Sequence, residues 1–243
     1  MSDPQTLELS VLLPCYNERD NLESLTRELL ATLQKTGLDY EILFIDDAST
    51  DGSAALLDEL ARAHPRLRVV HHRHNAGESA AQATGFRAAR GERLVTMDSD
   101  GQNDPVDLPR FLETLESADV VCGVREVRED DWLRRISSRL ANGFRNRVTG
   151  DRVLDAGCTY RAIRRRVVRE LPVFNGMHRF LPTLARAQGF RVSEIPVHHR
   201  PRTAGESKYG VGNRLWRGIV DCLAIRWWRD RAISAGRLPE EIR

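Results

Sequence analysis

Residues 95–105 read VTMDSDGQNDP, a short apolar run that ends in three carboxylates within seven residues, Asp98, Asp100 and Asp104. Carboxylates this close repel, so backbone amides, an arginine or a divalent cation must offset them. Asp98 and Asp100 flank a single residue, and at the end of a strand, in an extended turn, both can face one ion. Hard oxygen ligands suit Mg2+ or Mn2+, and Mg2+ is usually held by one or two carboxylates with substrate phosphates completing its shell. Gln102 could supply a further oxygen. The structural alternative is that Asp98 and Asp104 cap turns and the following helix. A bare Asp-x-Asp is frequent, so its surroundings decide.

Those surroundings are an alternation of apolar runs and helical patterns. LSVLLPCY (9–16), EILFIDD (41–47), RVVHH (68–72), RLVTMD (93–98) and ADVVCG (118–123) read as buried strands. Between them lie helices: from Asp20 to about Lys35 with Asp20 and Glu23 as a capping box and Gly37 as the stop, then 51–63, 78–90 and 106–116. Strand–helix–strand repetition with short connections means a mostly parallel sheet with right-handed crossovers. Ligands of such sheets bind beyond the carboxyl ends of the strands. The segments there are CYNE, DDASTDGS, HNAGES and DSDGQND, all polar and rich in small residues.

The second half differs in charge and pattern. Residues 1–120 carry 11 Lys and Arg against 22 Asp and Glu, and residues 121–243 carry 26 against 13, within a net charge of only +2. Such a split predicts an anionic partner for the basic half: nucleic acid, phosphate groups or an anionic membrane surface. No nucleic-acid-binding motif is present. In 132–148 an apolar stripe of Trp132, Ile136, Leu140, Phe144 and Val148 runs among arginines, which makes a basic amphipathic helix. A helix over 177–188 and a strand over 190–200 follow. The last helix, 213–231, sets Trp216, Trp227 and Trp228 beside arginines, the composition of a helix lying in a headgroup layer.

With 243 residues, 30% charged and 41% hydrophobic, the chain suits one large α/β domain with a C-terminal elaboration. We place the boundary at 210/211, with an amphipathic helix and tail over 211–243. Four dispersed cysteines form no CxxC pair and read as reduced packing thiols of a cytosolic protein. The N-terminus MSDPQTLELS has no signal-peptide pattern. The longest run without a charged residue is the nine residues Leu9–Asn17, short of the ~18 that a spanning helix needs. HHRH (71–74) lacks a CxxC or HExxH context and reads as structural.

PCYNERDNL, ILFIDDASTDGS, NAGESAAQATGFRAARGE, VTMDSDGQNDP and RPRTAGESK stand in the order and spacing of the family 2 inverting glycosyltransferases with the GT-A fold. Within that family the chain resembles, over residues 8–228, the polyprenyl-phosphate glycosyltransferases typified by dolichol-phosphate mannose synthase. The resemblance implies an α/β, Rossmann-like, mostly parallel sheet flanked by helices, with C-terminal basic amphipathic helices. It also implies roles. Pro14, Tyr16 and Glu18 match the nucleotide-binding first loop, and Asp46 and Asp47 the carboxylates that contact base and ribose. Asp98, Asp100 and Gln102 match the metal ligands for Mn2+ or Mg2+. Arg125 matches a phosphate-binding arginine, and Arg134 and Ser138 match acceptor-phosphate positions. Arg200, Arg202, Ser207 and Lys208 match a loop closing over the diphosphates. Asp100, Arg125 and Arg202 are the residues expected to act at the reacting centre.

The reaction so implied moves a sugar from a nucleoside diphosphate sugar to a polyprenyl phosphate, dolichyl or undecaprenyl, with mannose from GDP-mannose favoured. Alternatives are UDP-linked glucose, N-acetylglucosamine or aminoarabinose as donor, or a saccharide hydroxyl as acceptor. A phosphate acceptor needs no general base but needs cations between two anions, which the basic half supplies. A hydroxyl acceptor needs a carboxylate base, for which Asp104 is the first candidate. The expected setting is peripheral, on the cytosolic face of a membrane, with a separate membrane protein as a possible anchor. The non-enzymatic alternative is an inactive glycosyltransferase-like module that binds membranes.

Overall fold

The stretch LELSVLLPC forms strand β1 (Leu7–Cys15). Side chains alternate across a strand, and Leu9, Val11 and Leu13 enter one core cluster while Leu12 enters another on the opposite face. A strand apolar on both faces belongs inside a parallel sheet. β1 pairs in parallel with β2 (Tyr40–Asp46) on one side and β4 (Gly91–Thr96) on the other, and β3 (Leu67–His71) extends the sheet beyond β2. The structure, a computed structural model, describes residues 7–125, 142–201 and 212–233.

Beyond β4 the sheet departs from the simple alternation. Strand β6 (Arg161–Arg164) inserts antiparallel between β4 and β5 (Val120–Arg125), and β7 (Val192–Val197) pairs in parallel with β5. The order of the seven strands is β3-β2-β1-β4-β6-β5-β7. The sheet is thus mostly parallel, as the sequence predicts, with one reversed strand that it does not predict. Four residues, RAIR, among arginines carry too little periodicity to register as a strand.

Helices cover both faces. On one, α1 (Arg19–Gln34), α2 (Ser53–Ala63) and α4 (Leu108–Leu115, entered through a 3-10 turn at Pro105–Asp107) pack Leu22, Leu29, Leu57, Phe111 and Leu115 against β1, β2 and β4. On the other, α3 (Glu78–Ala88) sets Ala81 against Leu12, Leu43 and Ile45. There too α7 (Met177–Ala187) and α8 (Gly212–Arg229) bury Phe180, Leu181, Leu184, Cys222 and Ile225 with Val120 and Ile163. Between α4 and α7 in the chain lie α5, described over 142–149, and α6 (Arg165–Arg169). Gly91 lets α3 turn directly into β4, since a Cβ there would sit 2.4 Å from the Ser10 nitrogen.

The start of α1 corrects the sequence reading. Its N-cap is Glu18, with no side-chain cap bond, so Asp20 and Glu23 form no capping box. The loop after β2 does the capping instead. The Glu18 N–H donates to Ser53 Oγ at 3.1 Å and the Arg19 N–H donates to Asp51 Oδ2 at 3.1 Å. All four cysteines are free and buried, and burial is the main cause that pushes the Cys15 and Cys158 thiols up to about 12. No helix among the described residues is long and apolar enough to cross a membrane.

Candidate active site

Loops from the carboxyl ends of β1, β2, β3 and β4 meet at one edge of the sheet, and hydrogen bonds tie them together. Asp47 follows β2; its N–H donates to the Cys15 carbonyl at 2.8 Å. Its Oδ1 accepts the Ala76 N–H at 2.9 Å and lies 2.7 Å from His72 Nδ1, and its Oδ2 accepts the Gly77 N–H at 2.7 Å. Asp46 lies 3.0 Å from His71 Nδ1 and accepts the Ser49 N–H. Both carboxylates are buried, and they knit the β2 loop to the segment that starts α3. From the β1 loop, Asn17 adopts φ 57°, donates its N–H to Ser49 Oγ and accepts the Thr50 N–H at 2.7 Å. Tyr16 stands exposed on the rim, and the Glu18 carboxylate accepts from Asn21 Nδ2 at 2.8 Å.

The Asp98–Asp100 pair leaves the end of β4 beside this unit. The Ser99 hydroxyl donates to the Pro14 carbonyl at 2.8 Å, which links the β4 loop to the first loop. Asp98 Oδ2 accepts the Thr159 hydroxyl at 2.6 Å, its N–H donates to Asn103 Oδ1, and Asp100 Oδ1 accepts the Gln102 N–H at 3.1 Å. Burial first, and then the charge of Asp100, push the Asp98 carboxyl up to about 6, although Thr159, Arg125 and Arg161 pull it down. Two carboxylates crowded until one resists ionisation form the hard-oxygen donor set that a divalent cation relieves. Asp98 and Asp100 therefore fit such an ion. Among the described residues no group of three His, Cys, Asp or Glu forms a complete cage, so remaining ligands would come from water or substrate oxygens.

The arginines divide into two settings. Arg125, at the end of β5, is held by both Asp155 oxygens, with Nε to Oδ2 at 2.7 Å and Nη2 to Oδ1 at 2.9 Å, and its charge reaches Asp98. Arg200 turns its fork away from that pair. It contacts Asp104 through Nε at 3.1 Å and Nη2 at 2.8 Å, and Glu28 through Nη1 at 2.6 Å. Its backbone still touches the loop after β4, because its carbonyl accepts from Gln102 Nε2 at 3.3 Å and its N–H donates to the Gln102 carbonyl at 2.8 Å. Arg134, Ser138, Arg202, Ser207 and Lys208 lie outside the described residues.

A third group joins the site, and of its members the sequence singles out only His178, as a histidine that is structural or near the acceptor. Glu78 opens α3, and its carboxyl is pushed up to about 7 by burial and by the charge of Asp98, against Arg161 and Arg179. His178, at the start of α7, lies 3.4 Å from Glu78 through Nε2 and 2.7 Å from the Ser79 hydroxyl through Nδ1. Burial, Arg179 and Arg161 pull its imidazole down to about 3, so it is neutral. Arg161 on β6 is fully buried and donates to the His178 carbonyl. Arg161 is hard to find from sequence because, in RAIRRR, it looks like one more surface arginine. The signal for Glu78 was its place in NAGES, directly after a strand.

Residues 10–172 match the family model described as glycosyl transferase family 2. An undecaprenyl-phosphate 4-deoxy-4-formamido-L-arabinose transferase from Edwardsiella ictaluri (strain 93-146) is 40% identical over 228 residues, which cover 92% of this chain and 70% of that protein. Among solved structures, glucosyl-3-phosphoglycerate synthase from Mycobacterium tuberculosis, in complex with Mn2+, uridine diphosphate and phosphoglyceric acid, aligns with a TM-score of 0.67. The identity is 21%, with 95% of this chain and 81% of that one covered. A mannosyltransferase from Pyrobaculum calidifontis, in complex with GDP-Man and Mn2+, aligns with a TM-score of 0.60 at 20% identity, covering 96% and 66%. The seven-stranded sheet and its helices share the architecture of these structures, and the loops at its carboxyl edge lie within the span of the family model. The chain belongs to glycosyl transferase family 2 and has the GT-A fold.

Proposed function

We propose that this glycosyltransferase moves a sugar from a nucleoside diphosphate sugar to a polyprenyl phosphate, and that Asp98 and Asp100 would hold the divalent cation that serves the donor's diphosphate. The observation that carries this reading is the crowded Asp98–Asp100 pair at the end of β4, with Arg125 at its side. The acceptor class is supported by the relative from Edwardsiella ictaluri, whose name gives undecaprenyl phosphate and a 4-deoxy-4-formamido-L-arabinose group. That name also favours the aminoarabinose alternative over mannose from GDP-mannose.

In this reading an acceptor phosphate oxygen attacks the anomeric carbon, and the bond from that carbon to the diphosphate oxygen breaks with inversion. The bound cation would stabilise the negative charge that develops on the leaving diphosphate. Arg125, oriented by Asp155, adds a fixed positive charge beside it. Asp104, the carboxylate that a hydroxyl acceptor would need as base, is tied to Arg200 and the Val106 N–H, which favours an acceptor that is already an anion. Arg134, Ser138 and the Arg202–Lys208 loop would supply the cations and hydroxyls for the two phosphate groups.

A membrane-facing surface fits the same reading. On α8, Val220, Leu223 and Trp227 are exposed at helical spacing, while Cys222, Ile225 and Trp228 face the core. Arg226 is exposed next to this stripe, and Arg231 lies over the Trp227 ring at 5.0 Å. Apolar side chains among arginines match an anionic bilayer surface.

Calorimetric titration of UDP and of GDP, each with and without Mn2+, tests the proposal. The expected result is metal-dependent binding of UDP that Asp100→Ala removes. Selective binding of GDP would restore the mannose reading. No binding of either nucleotide by folded protein would overturn the transferase reading.

A further inference from the structure

The Glu78–His178 pair has no part in the reaction as described, yet it occupies the space beside it. The Gly77 N–H is bonded to Asp47 at 2.7 Å, which sets Glu78 against the loop expected to hold the nucleoside. On its other side the charge of Asp98 reaches it, which sets it against the diphosphate end. His178 comes from α7 across this space, and its placement is built. The Ser79 hydroxyl accepts the Gly176 N–H at 2.9 Å and meets His178 Nδ1 at 2.7 Å, and the buried Arg161 holds the His178 carbonyl. Nε2 of His178 faces the Glu78 carboxyl at 3.4 Å and Arg179 Nε at 3.3 Å. The Glu78 side chain is 32% exposed and that of His178 12%, so the pair forms a polar wall that is open on the Glu78 side.

The chemistry of that wall selects its ligand. A second phosphate is disfavoured, because the Glu78 carboxyl faces it while Asp98 and Asp100 are taken up with the cation on the transferase reading. An apolar group would cover the exposed part of the Glu78 carboxyl without offering it a hydrogen bond, which costs more than it gains. What fits is a neutral, polar group carrying hydroxyl or amide donors, placed one linkage away from the diphosphate. On the transferase reading that group is the sugar itself. We propose that Glu78, oriented with His178, forms the subsite that reads a hydrogen-donating substituent of the transferred sugar and so sets donor specificity. The proposal rests on the transferase reading and deepens it. A site built to pair with one substituent discriminates against an analogue lacking it, because its own polar groups are then left unpaired.

The test measures binding of UDP, UDP-arabinose and the UDP-linked 4-deoxy-4-formamido-arabinose, with GDP and GDP-mannose as a second series. Each is titrated in Mn2+ against the wild type, Glu78→Gln and Glu78→Ala. Glu78→Gln keeps the size of the side chain and guards against a folding defect in the alanine variant, and thermal melts of both check that point. The expected result is that Glu78→Ala leaves the affinity for the free nucleoside diphosphate within about twofold. The sugar nucleotide is expected to bind about tenfold more weakly, the loss of one good hydrogen bond. The ratio between the two arabinose donors should shrink with it. Equal weakening of free nucleotide and sugar nucleotide by both variants would overturn the proposal and place Glu78 with the diphosphate. An unchanged ratio between sugar nucleotide and free nucleotide would overturn it as well. Failure of the wild type to bind any nucleotide would instead overturn the transferase reading beneath it, so the two failures are told apart.

Discussion

Arg125 shows how one side chain is held in place by a single carboxylate. Asp155 takes two of its N–H groups in a paired, fork-like contact, and both side chains are mostly buried. Removing one partner of a buried pair leaves the other charge uncompensated, whereas removing both costs less. Asp155→Leu should therefore destabilise the fold by about 2–4 kcal/mol in urea denaturation. The double variant Arg125→Met with Asp155→Leu should recover part of that loss while turnover stays low. If the single variant loses less than about 1 kcal/mol, the pair behaves as a surface contact and does not orient Arg125. Arg200 makes the complementary point. Its fork is occupied by Asp104 and Glu28, which builds this arginine into the fold.

At the scale of elements, the loops carry more information than the helices they join. The strand ends and the loops CYNE, DDASTDGS, HNAGES and DSDGQND were legible because apolar runs stop at polar, small-residue segments, and those segments do converge. The capping of α1 was not legible, since Asp51 and Ser53 reach it from more than thirty residues away. Likewise, the Ser79–His178 contact spans 99 residues, and only the folded sheet brings α3 and α7 together. Strand β6 escaped because an arginine-rich tetrapeptide reads as surface, although Arg161 is among the most buried side chains.

The pairing of β3 with the β2 loop has a measurable pH signature. Burial alone would pull the His71 imidazole down, but hydrogen bonds and charge from Asp46 and Asp58 outweigh it and hold it above its ordinary value of 6.5. A histidine that binds its proton more tightly folded than unfolded stabilises the fold fully below about 6.5, and that contribution fades as pH rises through the folded value. His71→Asn should flatten the stability profile from about pH 6.5 upward, as read from urea midpoints at stepped pH. Parallel profiles for variant and wild type would show that the Asp46–His71 contact contributes nothing to folding.

Across the whole molecule, charge and apolar surface are distributed with a purpose that the net value of +2 conceals. The acidic first half uses Asp46, Asp47 and Asp51 to bind its own loops together, while Asp98 and Asp100 are the pair proposed to hold a cation. The basic second half carries α8, whose inward face is fixed by Cys222, Ile225 and Trp228, while Val220, Leu223 and Trp227 look outward. Such a stripe on a helix already packed to the domain has no internal partner left to cover it among the described residues. If an anionic bilayer covers it, association with vesicles should depend on both terms, apolar insertion and charge. Leu223→Glu with Trp227→Glu should lower partitioning onto vesicles containing phosphatidylglycerol by about tenfold or more, and raised salt should weaken the wild type in the same direction. Nucleotide binding should be unchanged, because both side chains are exposed on α8 and take part in none of the contacts that join the loops of the candidate site. Full retention of vesicle binding by the double variant would show that the stripe does not face lipid, and the basic segments on either side of it would then have to account for the attraction alone.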